Sequence, residues 1–404
     1  MTGSVRRTFG AAATAALLMT GCSSSMPASH GMASPRASTS PMPAASLRTA
    51  LNALLAEHVV LAGAATGAAL GGREAEFKAA AGALDANSVA IAQAIGSVYG
   101  KDAEAAFLPL WRKHIGFVVD YTVGAAAKDR ARQDRAVSEL VAYTQDFGAF
   151  LASANPNLPK AVVADLVKHH VVTLKDVIDA QAAGDHARAY TALRTASAHM
   201  AMIADPLAGA IVTQFPDRFA GSPSAPSAGL RSALNVALRE HVYLASAATG
   251  AALGGREAEF KAAAGALDAN SVAIAQAIGS VYGKDAEAAF LPLWRKHIGF
   301  VVDYTVGAAG SDRARQDRAV SELVAYTQDF GAFLASANPN LPKAVVADLV
   351  KHHVVTLKDV IDAQAAKDPA RAYAAVRSAA GHMQQIADPL AEAIVKQFPD
   401  RYRG

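Results

Sequence analysis

The chain has one cysteine in 404 residues, Cys22. That single thiol excludes a disulfide framework, a thiolate metal cage and c-type haem attachment. Aromatic residues are scarce, with two tryptophans in the whole chain. No segment shows the strict apolar/polar alternation of half-buried strands, so the pattern speaks against a sheet. Nor is there a Gly-x-Ser-x-Gly elbow, a phosphate-binding loop, a Gly-x-Gly-x-x-Gly fingerprint or a His-Glu-x-x-His pair, and the Glu-x-x-His signature of di-iron bundles is missing. The expectation is therefore a protein that is not an enzyme. Excess charge of one sign is also lacking. Setting aside Arg6 and Arg7 leaves 36 basic residues against 35 acidic ones, a balance with no electrostatic footprint for nucleic acid.

What is present begins with a secretory pattern. Arg6 and Arg7 precede an apolar stretch from Phe9 to Met19, shorter than the roughly 20 apolar residues a spanning helix needs. Leu18-Met19-Thr20-Gly21-Cys22 follows, then Ser23-Ser24-Ser25. This run resembles the bacterial lipobox, with Met19 where leucine is usual. The resemblance implies a signal peptide over residues 1–21, removed so that a diacylated Cys22 becomes the mature N-terminus. The protein would then be lipid-anchored outside the cytoplasm, attached to the cell membrane or outer membrane by that lipid alone, since no later segment reads as a transmembrane span. Residues 22–45 are rich in Ser, Pro, Ala and Met. They read as a flexible tether reaching roughly 25–30 Å by random-coil scaling. Met26, His30, Met32 and Met42 within it are a loose set of soft metal ligands.

Self-comparison sets the architecture. Residues 64–126 recur unchanged as 247–309, and 129–183 as 312–366, always at an offset of 183. The expected domains are a helical module over 46–219, a Ser/Pro/Gly/Ala linker over 220–229 and a second module over 230–404. A shorter period lies inside each copy: His58, His114 and His170 are spaced by 56 residues. Before each stands a helix-start signal, Ser46, Asp102, and Asn157 with Pro159. After each stands a break, Gly71-Gly72, Lys128-Asp129 and Gly184-Asp185. Each unit then reads as a helical hairpin, and the fold class as all-α: two tandem helical-bundle modules, each of three hairpins.

The apolar seams agree. Leu47, Leu51, Leu54, His58, Leu61 and Ala65 step by threes and fours, as do Phe107, Leu110, His114, Phe117 and Tyr121, and Val163, Leu166, His170, Thr173 and Val177. Such steps keep residues on one helix face. Leu84, Ser88, Ile91 and Ile95, and Leu140, Tyr143, Phe147 and Leu151, do the same for the second helices. Pro109 is expected to kink its helix, and Trp111 reads as a core-edge residue.

The histidines are the informative feature. His58, His114 and His170 lie on the seams, His199 lies on the last one, and the second copy repeats them as His241, His297, His353 and His382. If three hairpins wrap one axis, these imidazoles converge into a shell for Cu, Zn or Fe, one ion per module. In the competing reading each imidazole is a packing residue satisfied by a carbonyl, Tyr99, Tyr121 or Asn87. Asp120 and Asp176 follow their histidines by six residues, about 240° round a helix, and so face elsewhere.

Glu57-His58-Val59, Ala83-Leu84-Asp85-Ala86-Asn87, and Gly209 to Pro216 resemble helical segments that accompany copper amine oxidase N-terminal-like domains in bacterial envelope proteins. The resemblance implies an envelope location and a connection with copper, and carries over no activity, because the oxidase's own Asn-Tyr-Asp/Glu site is not here. The expected function is a lipid-anchored binding protein that holds a transition metal, copper first. The alternative is a structural or interaction lipoprotein with an envelope partner and no metal. A third class, ranked last, is an enzyme or haem protein using His199 or His382 with a neighbouring methionine.

Overall fold

The structure is a computed structural model, and it describes residues 42–403. Cys22, the signal segment and tether residues Met26, His30 and Met32 lie outside the described residues. The fold is all-α. In the first copy the helices are α1 (Ala44–Leu70), α2 (Glu74–Tyr99), α3 (Lys101–Ala127), α4 (Arg130–Ala154), α5 (Lys160–Ala182), α6 (His186–His199) and α7 (Ala201–Gln214). In the second they are α8 (Pro226–Leu253), α9 (Glu257–Tyr282), α10 (Lys284–Ala309), α11 (Arg313–Ala337), α12 (Lys343–Ala365) and α13 (Pro369–Gln397). The turn at Met200 divides into α6 and α7 what is one helix in α13. Among the described residues the only strands are β1 (Met42–Pro43) and β2 (Phe219–Ala220), a short parallel pair.

Local chemistry explains the boundaries. Gly72 takes φ +68° after α1, and Lys128 takes a left-handed conformation after α3. The Asp129 and Asp185 carboxylates accept from the amides of Arg132 and Arg188 and cap α4 and α6. The starts expected at Ser46, Asp102 and Asn157 fall elsewhere: α1 follows Pro43, α3 follows Gly100 and α5 follows Pro159, none with a side-chain cap. Proline in extended geometry, and glycine at φ +94°, set those entries through the backbone instead. Pro109 lies within α3, which runs on past it.

Sequential helices pack on one another, and α1 closes the ring against α6 and α7. Within the ring α1, α3 and α5 also touch each other, so the odd helices form an inner triangle. The second copy repeats this with α8, α10 and α12 inside. Each copy has its own apolar core, one around Leu61, Phe107 and Ile178, the other around Leu244, Phe290 and Ile361. Helix α1 is long and apolar enough to cross a membrane by length and composition, contrary to the expectation of no such segment past the signal. It is an inner helix, and more than half of its most apolar window is buried in protein.

The copies also pack on each other, and the described residues form one compact unit. Helix α1 lies on its counterpart α8, α2 touches α13, and α9 touches α6. Because equivalent pairs meet, the interface is isologous, like that of a two-fold dimer built from one chain. Glu57 accepts from Tyr243 Oη at 2.7 Å and from Arg377 Nε at 2.9 Å, and Arg194 Nε donates to Glu240 at 3.0 Å. The stretch expected as a linker is only partly loose: Ala220 belongs to β2, α8 begins at Pro226, and Ala228 is buried.

Candidate metal centre

The inner triangle brings the repeat histidines to one level. His58 on α1, His114 on α3 and His170 on α5 are buried, and their nearest ring nitrogens all lie within 4.8 Å of one another. His58 Nε2 and His114 Nε2 are 3.3 Å apart, and the His58 and His170 rings are 5.8 Å apart between centroids. The second copy gives the same cluster from His241, His297 and His353, with 3.3 Å between the first two Nε2 atoms. Two nitrogens bound to one metal at about 2.0–2.1 Å in a tetrahedral set stand about 3.3–3.4 Å apart, so the closest pair already has a ligand spacing.

The hydrogen-bond inventory favours a ligand over a packing role. Apart from the contact between His58 and His114, which needs a proton on one Nε2, and a weak approach of His114 to the Trp111 backbone, the cluster is unpartnered: Nδ1 of all three residues and Nε2 of His170 are buried without a well-formed hydrogen bond. The partners expected for packing histidines are engaged elsewhere. Asn87 donates to Glu57 and the Leu54 carbonyl, Tyr99 to Gln214, and Tyr121 to Asp179. Buried polar atoms are rarely left so, and a cation among the imidazoles would engage the inward nitrogens.

Electrostatics keeps the cluster uncharged. Burial, then the neighbouring imidazoles, pushes His58 well below the ordinary value of 6.5. Burial, then His170, lowers His114 to about 3, and burial, then His199, lowers His170 to about 4. His297 and His353 fall likewise to about 3 and about 4. Neutral imidazole is the metal-binding form. No carboxylate joins either cluster: Asp120 pairs with Arg132 at 2.6 Å, Asp176 is exposed, and Glu57 turns to the copy interface.

His199 and His382 do not join the clusters. His199 donates from Nε2 to the Leu166 carbonyl at 3.1 Å and stacks on His169 at 4.3 Å, and His382 does the same with Leu349 and His352. His199 ends α6, which packs on α5, so its imidazole meets the α5 backbone and His169 there. His169 and His352 were not singled out from the sequence, although the His-His doublets at 169–170 and 352–353 were a visible signal. Trp111 is a core residue rather than an edge one. Its ring lies 4.9 Å from His58 and 4.6 Å from His114, and its Nε1 is unbonded. The Tyr143 ring lies 5.3 Å from His114, tilted against it, with a buried, unbonded hydroxyl, a site neighbour that its seam position alone did not distinguish. A cavity of about 40 Å³ adjoins Trp111, His114, Tyr143 and His170. In the second copy a cleft of about 330 Å³ between α8, α9 and α10 reaches His241 and His297.

The chain matches no family model, no curated protein and no solved structure.

Proposed function

We propose that the protein is a non-enzymatic metal-binding lipoprotein of the cell envelope, holding one transition-metal ion in each copy. In this reading each copy is a bundle of three hairpins whose 56-residue period exists to bring three imidazoles together. The observation that carries it is the pair of buried clusters, His58/His114/His170 and His241/His297/His353, with nitrogens in ligand range and without other side-chain partners. Three neutral nitrogen donors suit Cu, Zn or Fe. Copper is the first choice, because a buried shell with no carboxylate leaves the ion's charge uncompensated, which costs least for a monovalent cation. The Met- and His-bearing tail points the same way. Elemental analysis of the purified protein tests the reading: two ions per chain support it, and a metal-free protein that refuses Cu(I), Cu(II), Zn(II) and Fe(II) overturns it.

Cys22 is the proposed lipid attachment, and it supplies the membrane contact. Cys22→Ala should release the protein from membranes or block its processing, and retention after a salt wash would refute the anchor. A second reading, an interaction lipoprotein without metal, draws on exposed valines at equivalent places in both copies, among them Val119, Val162 and Val172 with Val302, Val345 and Val355.

A further inference from the structure

The copy interface encloses a cleft of about 820 Å³ between α1, α8, α6 and α13, away from both histidine clusters. Binding pockets for small molecules run from about 300 to 1,000 Å³ and favour interfaces between domains. Small residues, Ala64 on α1 and Ala247 on α8, line it where the two helices face each other. Leu193 and Val376 add to its apolar wall.

Two tyrosines at equivalent positions, Tyr190 on α6 and Tyr373 on α13, line this cleft. Neither hydroxyl has a hydrogen-bond partner among the described residues, and both side chains are half-buried. Burial, then nearby carboxylates, holds both phenols protonated, so each offers an O–H donor. The cations of the wall are already paired: Arg73 with Glu76 at 2.7 Å, Arg256 with Glu259 at 2.7 Å, and Arg194 with Glu240 at 3.0 Å. Lys367 stands on the exposed rim. An anionic ligand would therefore find the arginines of the wall already engaged, whereas an acceptor oxygen would find two free donors.

We propose that this cleft binds one neutral, mainly apolar molecule per chain through an acceptor oxygen held by Tyr190 or Tyr373. The site does not depend on metal in the histidine clusters.

Titration of the intact protein with prodan, a neutral naphthalene ketone that brightens and shifts to the blue in apolar surroundings, tests the assignment. Saturable binding of one probe per chain is expected. Removing one neutral hydrogen bond by Tyr190→Phe or Tyr373→Phe should weaken it about 3- to 10-fold, and the double variant further. Ala247→Trp should abolish it by filling the cleft. A chain carrying both His114→Ala and His297→Ala should bind the probe as the unaltered protein does, which separates this site from the metal reading. An anionic naphthalene sulfonate should bind at least 10-fold more weakly. Absence of saturable binding, or equal binding by the double Tyr→Phe variant, overturns the proposal, and tighter binding of the anion overturns the neutral class. If Ala247→Trp loses helicity, the Tyr→Phe variants decide alone.

Discussion

His58 Nε2 and His114 Nε2 face each other at 3.3 Å across the inner helices of the first copy, 56 residues apart in sequence. No side chain besides these imidazoles answers them, and the same contact recurs between His241 and His297. Replacing His114 by Ala should therefore lower the metal content from two ions per chain to one, and adding His297→Ala should lower it to none. Trp111 and Trp294, the chain's two tryptophans, adjoin the clusters. Copper loading should quench their fluorescence in two equal halves, only one of which survives in the single variant. Full metal content in His114→Ala, with stability reduced, would assign the histidine to packing.

The depressed histidines make a pH prediction for the metal-free protein. Their folded values lie below the ordinary 6.5, so the unfolded chain takes up protons first as pH falls. Stability should be fully present above about pH 6.5 and decline below it, by about 1.4 kcal/mol per pH unit for each such histidine. For His170 and His353 the decline should stop near pH 4, and for His114 and His297 near pH 3. Urea unfolding between pH 4 and 8 measures the slope. A flat profile would show that the imidazoles are not held neutral.

The copy interface is lopsided in a way that can be measured. Glu57 binds Tyr243, Arg377 and Asn87, whereas its equivalent Glu240 binds Arg194 and Asn270 and has Val60 in the tyrosine's place. Glu57→Ala leaves a half-buried guanidinium and a buried hydroxyl unpaired, at a cost of about 2–3 kcal/mol once partial exposure of Arg377 is allowed for. Glu240→Ala should cost about 1 kcal/mol less, and Tyr243→Phe about 1 kcal/mol by itself. Denaturation midpoints of the three variants test the order. Equal losses for the two glutamates would show that the tyrosine contact contributes nothing.

A turn that differs between the copies offers a gain. After α5 the left-handed position is Gly184, at φ +70°, but after α12 it is Lys367, at φ +56°. A side chain there is disfavoured, and glycine is the usual occupant. Lys367→Gly should stabilise the protein by about 0.5–1 kcal/mol, read from urea unfolding, while Gly184→Lys should destabilise it by a similar amount. No change in either direction would mean that the cap is not strained.

Much of this was legible in the residues, because helix periodicity is a local property. Steps of three and four placed Leu51, His58, Phe107, His114, Val163 and His170 on inward faces, and all six are buried. The breaks at Gly72, Lys128 and Gly184 were visible because left-handed turns select particular residues. Helix starts were less visible, since Pro43, Gly100 and Pro159 act through the backbone and no capping side chain announces them.

By itself, then, the sequence determined the helical class, the duplication, and the seam positions of the repeat histidines, all of which follow from spacing along one chain. Tertiary packing alone decided that α1, α3 and α5 close into a triangle, so that three seams meet at one point rather than lining up about 10 Å apart. It also decided that His199, on a seam of the same period, is taken by the Leu166 carbonyl and stacks on His169 instead. The contact of α1 with α8, and the tyrosine-lined cleft beside it, were equally out of reach. A face that packs inward and a face that packs on a second copy carry the same apolar pattern, and only the closed ring determines which neighbour each one meets.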